Sequence, residues 1–478
     1  MPANHTSPTH STNPTAPQAA QRYFAPQAWV QGAWAQNVLL SVDAAGRWCG
    51  ITPNATAADR DDAIRLQGPV LPGVVNAHSH AFQRAIVGLT ERRGGAPGAA
   101  SDDFWSWRDR MYFAAQRISP EQLEHIAALL YAELLAAGYT QVCEFHYLHN
   151  AVAGQAYADP LDMSLALVRA AQRVGMGLTL LPTLYMRSGF GAAGLRDDQQ
   201  RFASTPDSIL RLVADLQMQV RGLANFNVGV ALHSLRAADG AALNEVAAFA
   251  NTQQLPVHLH IAEQTQEVQD CITHTGRRPI EWALENLPLN ARWNLVHATH
   301  TTPAELQGVQ EAGASIVICP STEANLGDGV FDYSGYAARG GNWSIGSDSH
   351  VTRSWSEELR LLEYSQRFTQ RMRNVAAQHG ASTSTAANLF EAALAGGQAA
   401  TAQPLGAIRL GHRADFVVLD RQAPALLGVP PEHVLDALVF SSPDAKPQAV
   451  FVAGQPSKPA VWPSLARDFA RTMNTLWR

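Results

Sequence analysis

Eight short apolar segments recur between residues 68 and 350, with helical patterns falling between them. They read GPVLPGVVNAHSH, TQVCEFHYLHN, GLTLLPTLY, NVGVALHSL, LPVHLHIAE, RWNLVHATH, ASIVICPST and NWSIGSDSH. The intervening patterns include PEQLEHIAALLYAELLAAG, with Ser119 placed as its N-cap, and DMSLALVRAAQRVG. Eight β-then-α units predict an α/β chain folded as a (β/α)8 barrel of the TIM type. A doubly wound open sheet is the rival, but no GxGxxG opens its first helix.

The flanks differ in style. Residues 22–71 and 403–478 alternate short apolar and polar pieces between turn residues. They are expected to pair into one small β-sandwich domain built from both chain ends. The barrel then spans 72–402. Residues 1–21, rich in Ser, Thr, Pro and Asn, read as a disordered tail.

Composition excludes several function classes. Hydrophobic residues make up 46% and charged residues 16% of 478, which suits a large buried core. A net charge of -6 argues against nucleic acid, whose phosphates need a basic surface. No apolar run is long enough for a membrane span, and the N-terminus has no signal-peptide pattern. The four cysteines, Cys49, Cys143, Cys271 and Cys319, form no CxxC pair. They read as free thiols, mostly buried, in a reducing cytoplasm.

Polar residues collect where the eight segments end. His78 and His80 close the first, His146 and Tyr147 the second, and His233 the fourth. His258, His260 and Glu263 follow the fifth, His297 and His300 the sixth, Asp348 and His350 the eighth. In a parallel barrel those ends share one face, where active sites are built. Residues i and i+2 of a strand point the same way, so His78 and His80 can grip one ion. Any one of these histidines alone reads as a satisfied polar residue or a helix cap. The ordered set reads as a metal site.

His78, His80, His260 and Asp348 offer three imidazole nitrogens and one carboxylate oxygen. That set suits one divalent ion, zinc first and iron second. The only lysines are Lys446 and Lys458, both outside the barrel. A carboxylated barrel lysine bridging two metals is therefore excluded, and one metal is expected. Glu263 reads as a proton carrier beside the substrate. His297 can take a water proton or steady a developing oxyanion, and Asp348 can also accept the water proton. Arg236, three residues past His233, offers a guanidinium suited to a carboxylate.

As a set, HSH after LPGVVNA, HIAE at 260–263, LVHATH at 295–300 and GSDS at 346–349 resemble the single-metal deaminase branch of the amidohydrolase superfamily. The resemblance covers nearly the whole chain. HSHAFQRA, DDFWSWRDRMY, EFHYLHN and ALHSLRA are more discriminating, and resemble the formimidoylglutamate deiminase family. That resemblance implies hydrolysis of N-formimino-L-glutamate to N-formyl-L-glutamate and ammonia, in histidine degradation, by a homodimer. It implies His78, His80, His260 and Asp348 as metal ligands, with Glu263 and His297 as the proton-handling pair. It further implies Gln83, Arg108, Tyr147, His233 and Arg236 as contacts to a small dicarboxylate substrate.

The residues themselves leave other readings open. Arg108 can be a surface arginine covering Trp105 or Trp107. Tyr147 can be a core ring and Gln83 a helix cap. His258 reads as a core or supporting residue and Arg84 as structural, while His146, His300 and His350 carry no assignment. The Gly-rich stretch at 93–101 can close over the site or be an idle loop. Two other functions compete. A deaminase of guanine, cytosine or an adenosine derivative takes flat, mostly neutral rings that do not call for two arginines. A non-catalytic scaffold would not be expected to keep all four ligands.

Overall fold

In the computed structural model the described residues are 19–92, 104–441, 445–458 and 461–478. The stretch 93–101 and most of the expected tail lie outside them. All eight predicted segments form parallel strands in chain order around a barrel. These are β1 (Val74–Ser79), β2 (Tyr139–His146), β3 (Gly177–Leu184), β4 (Phe226–Val228 and Val230–Leu232), β5 (Val257–Ile261), β6 (Trp293–His297), β7 (Ser315–Ile318) and β8 (Asn342–Ile345). Nearly every strand residue is buried, as strands covered by helices outside and side chains inside must be. The break in β4 falls at Gly229. A Cβ there would sit 2.7 Å from Leu181 on β3 and from Pro256 before β5.

Closure brings the first and last strands together at the end that matters. Ser79 and Asp348 form an isolated parallel bridge. The Asp348 amide donates to the His78 carbonyl at 3.0 Å, and the His80 amide donates back to the Asp348 carbonyl at 3.3 Å. The approach is close enough to require glycine at 346, where a Cβ would lie 2.6 Å from the Cβ of His78.

Both termini contribute to a second sheet of eight strands. Strands from Ala19–Val30 through Val70–Pro72 pair with Phe416–Leu419, Pro447–Val452 and Gln455–Pro456. Its core is aromatic: Phe416 stacks on Phe451 at 4.3 Å, with Tyr23 edge-on to both. The first strand begins at Ala19. The C-terminal stretch is not β throughout, because Val434–Phe440 and Trp462–Leu476 are helices. The last one buries Leu465, Thr472 and Leu476 on one face. It docks on helix Pro120–Ala136 through Thr472 to His125 at 3.1 Å. No helix among the described residues is long and apolar enough to cross a membrane.

Candidate metal centre and substrate pocket

Three imidazoles and one carboxylate meet at the C-terminal end of the barrel. The Nε2 atoms of His78, His80 and His260 are 3.0–3.3 Å apart. Asp348 Oδ1 is 3.3 Å from His78 Nε2 and 3.5 Å from His80 Nε2. Tetrahedral ligands about 2.0–2.2 Å from zinc are themselves about 3.3–3.6 Å apart, so these spacings fit one small cation. Mutual hydrogen bonding does not explain them, since one ring N–H cannot serve two neighbours equally.

The rings are also set in the ligating tautomer. His80 Nδ1 donates to the Phe145 carbonyl at 2.9 Å, and His260 Nδ1 to the His233 carbonyl at 3.0 Å. Each leaves Nε2 with a lone pair facing the others. Burial holds the His78, His80 and His260 imidazoles below the usual histidine range, which keeps them neutral. His78 Nδ1 has no partner among the described residues.

Two residues with no ligand role hold the HxH segment. Glu144, on β2, accepts from Ser79 Oγ at 2.7 Å, the Ala81 amide at 2.6 Å and Tyr131 at 3.1 Å. Burial lifts its carboxyl to about 8, against the pull of these donors. His350 donates from Nε2 to the His80 carbonyl at 3.1 Å, with its other nitrogen 2.9 Å from Ser347 Oγ. His350 therefore supports the ligand loop from behind.

Backbone strain concentrates on the same rim. Ala262, His297, Ala298, Asp348 and His350 all take positive φ, a region costly for side chains other than glycine. These turns aim His297 Nε2 inward, 3.8 Å from Glu263 Oε1 and 3.9 Å from Asp348 Oδ2. Its Nδ1 donates to Glu323 Oε1 at 3.4 Å. Burial disfavours a charged His297, but Glu263, Glu323 and Asp348 outweigh it and push the ring up to about 10. Burial lifts the Glu263 carboxyl to about 6, with His297 and Arg236 opposing.

All five residues expected at the substrate line one pocket with His80, His260, Glu263, His297 and Asp348. Gln83, in the short turn Ala81–Ala85, donates to the Tyr147 hydroxyl at 3.3 Å; its Oε1 is buried without a partner among the described residues. Tyr147 is buried, and its own proton is left to donate elsewhere. Arg108 does both things expected of it. Its guanidinium lies 4.4 Å over the Trp105 ring, and it faces the pocket. Arg236 is an ion pair away from Glu267, with Nη1 3.5 Å from Oε2. Glu267 also accepts the Ala262 and Glu263 amides at 3.3 and 3.2 Å, so it ties Arg236 to the Glu263 turn.

Sequence reasoning did not single out Phe104, Trp107, Met111, Tyr112, Tyr185 and Leu326, which complete the wall. Tyr185 packs on His233 with ring centres 4.2 Å apart. Nor did it single out Glu144, Glu267 or Glu323. All three are buried, but only Glu144 interrupts an apolar buried strand, where that mismatch was the available signal. Residues read as structural, and two left without assignment, stay outside the pocket. His258 Nε2 donates to the Ala400 carbonyl of the helix Thr385–Thr401, 2.8 Å away in the core. Arg84 makes a two-pronged pair with Glu133 at 2.7 and 3.0 Å. His146 packs edge-on against His149, and His300 Nε2 has no partner among the described residues.

A model of the amidohydrolase family matches residues 70–456. The chain is 45% identical over 432 residues to the formimidoylglutamate deiminase of Pseudomonas aeruginosa, covering 90% of this chain and 93% of that one. A 5-methylthioadenosine/S-adenosylhomocysteine deaminase of Halobacterium salinarum is more distant, 27% identical over 75% of each chain. Among solved structures, an amidohydrolase from Brucella melitensis superposes with a TM-score of 0.88 at 39% identity, covering 96% of this chain and all of that one.

Proposed function

The chain belongs to the amidohydrolase family, and on that premise we propose that it hydrolyses N-formimino-L-glutamate to N-formyl-L-glutamate and ammonia. One observation carries the reading: two guanidinium groups, Arg108 and Arg236, line the same pocket as the metal ligands. Formiminoglutamate has two carboxylates and an amidine carbon, so it meets both halves of that pocket. Guanidinium groups recognise carboxylates through paired charge-assisted hydrogen bonds.

The reaction adds water to the amidine carbon, passes a proton to the terminal nitrogen, and breaks that C–N bond. When held by His78, His80, His260 and Asp348, a divalent ion, zinc first and iron second, makes hydroxide available near neutral pH. Asp348 accepts the water proton. His297, aimed at the same point, shares that proton or steadies the charge growing on oxygen. Glu263 carries a proton to the leaving nitrogen; a carboxyl lifted to about 6 both holds and releases a proton near neutral pH. Gln83, Tyr147 and His233 position the glutamate portion between the arginines and the reacting carbon.

An ammonia-release panel tests the assignment. Turnover of formiminoglutamate with little on guanine, cytosine or adenosine derivatives is expected. Equal turnover of guanine or cytosine would place the chain among the nucleobase deaminases instead. Metal analysis tests the other competitor: zinc or iron near zero per purified chain would revive the non-catalytic scaffold.

A further inference from the structure

Glu323 is buried beside the site but neither lines the substrate pocket itself nor belongs to the ligand set. It sits on the short helix Pro320–Leu326, directly after β7. One of its oxygens, Oε1, accepts from the Cys319 amide at 2.8 Å and from His297 Nδ1 at 3.4 Å. The two ligand rings with a bonded Nδ1, His80 and His260, use backbone carbonyls. His297 uses a carboxylate. The difference follows the chemistry: a metal ligand must stay neutral, whereas a group that handles protons benefits from an anionic partner.

We propose that Glu323 is the positioning residue for His297, holding Nδ1 protonated and turning Nε2 toward Glu263 and Asp348. The inference rests on reading His297 as a proton-handling group. It explains how a ring on a strained backbone keeps one orientation. His297 and Ala298 have φ of 70° and 51°, so the ladder that pairs Ile261 with His297 ends at this turn and does not by itself fix the ring. The Glu323 bond supplies that constraint from the helix that follows the neighbouring strand. Glu323 also lies in the first turn of its helix and reaches back to the amide of the N-cap residue, Cys319, as capping carboxylates do. Capping alone does not account for the bond to His297.

The test separates positioning from capping. Glu323→Gln retains an acceptor for both donors, and Glu323→Met removes it at similar size. In the zinc-loaded protein, Glu323→Met is expected to cut kcat by about 10–100-fold, with KM and zinc content within about threefold. Glu323→Gln should recover most of that loss. In a His297→Ala background, Glu323→Met should cause no further loss of kcat. An equal loss in both backgrounds, or a loss confined to KM or zinc, overturns the proposal. A substrate-free measurement stands beside these. In ¹⁵N-histidine-labelled, zinc-loaded protein, with His297→Asn to assign the signal, His297 Nδ1 should be protonated. A bare Nδ1 overturns the proposal even if Glu323→Met fails to fold. Absence of formiminoglutamate turnover in the unaltered protein sinks the functional reading and leaves this ring measurement to stand or fall alone.

Discussion

The two ends of the barrel both bury charge, and they treat it in opposite ways. Near the N-terminal ends of the strands, Arg413 pairs with Asp415 at 2.9 and 2.5 Å and donates to Gln141 at 2.8 Å. Gln141 donates on to Thr179, Thr179 to Asn227, and Asn227 to the Thr401 carbonyl, each at 2.8 Å. Asp415 also accepts the Ala453 amide within the terminal sheet, and the Arg413 bond to Gln141 ties that sheet to the barrel. At the opposite rim, Arg236 Nη1, Arg108 Nε, Gln83 Oε1 and His78 Nδ1 have no hydrogen-bond partner among the described residues. Buried polar groups are ordinarily paired, because an unpaired one costs about 1–3 kcal/mol. The Arg413 network is cement, although Tyr139 Oη, Thr140 Oγ1 and His412 Nδ1 beside it are also unpartnered among the described residues. The rim leaves two guanidinium donors and an amide acceptor open beside the pocket.

That contrast is open to direct attack, and the largest effect is expected at the open end. Glu263→Gln keeps the shape of the pocket and removes the carboxyl proposed to carry the proton. It should lower kcat by about 10²–10⁴-fold with metal content unchanged. Steady-state kinetics with metal analysis checks both halves, and concurrent metal loss would mean that Glu263 supports the ligands instead. At the closed end, Arg413→Met leaves Asp415 buried without its cation. It should cost about 3–5 kcal/mol of stability, read from the urea midpoint, and leave the folded enzyme's kcat and KM alone. A catalytic defect at unchanged stability would show that the two ends are coupled.

Arg236 sharpens the comparison because it is the same residue type in the opposite setting. Arg236→Met should raise KM by roughly ten- to 150-fold, the value of a hydrogen bond to a charged group at about 1.5–3 kcal/mol. Its stability should fall less than that of Arg413→Met, since Arg236 Nη1 is 3.5 Å from Glu267 without a hydrogen bond and Glu267 keeps two backbone amides. A stability loss as large as that of Arg413→Met would class Arg236 with the cement.

The difference between the two ends also explains what the sequence let one read. The open end was legible because its groups lie at the ends of strands, where period two and a common face bring HxH, HxxE, His and Asp together. His78, His80, His260 and Asp348 could be named from four segments, and the barrel followed from the recurrence of eight. The supporting carboxylates were not legible. Glu144 acts on residues 63 and 65 positions away, and Glu323 on one 26 positions away. No local spacing encodes such pairs. Arg413 and Asp415 are neighbours in RAD, but their role depends on Gln141, which closure of the terminal sheet onto the barrel brings near. The helices at 434–440 and 462–476 were overlooked for a related reason. Their apolar faces bury against other elements, and the β style of the preceding segments set the expectation.

Arg84 is the smallest and most discriminating case, because it stands one residue from Gln83 yet belongs to the cement. Its guanidinium grips Glu133 on helix Pro120–Ala136 and lies 5.0 Å from the Phe469 ring on the C-terminal helix. Both partners of the ion pair are partly exposed, at 16% and 18%. Solvent therefore screens the pair, and Arg353 lies 3.6 Å from the same carboxylate to take up part of the charge. Arg84→Ala should lower stability by roughly 0.2–1 kcal/mol and leave KM and kcat unchanged. A shift in KM comparable to that of Arg236→Met would move Arg84 across the boundary between the two ends. It would also show that the turn carrying Gln83 depends on the helix behind it, so that the open end borrows its rigidity from outside the barrel mouth.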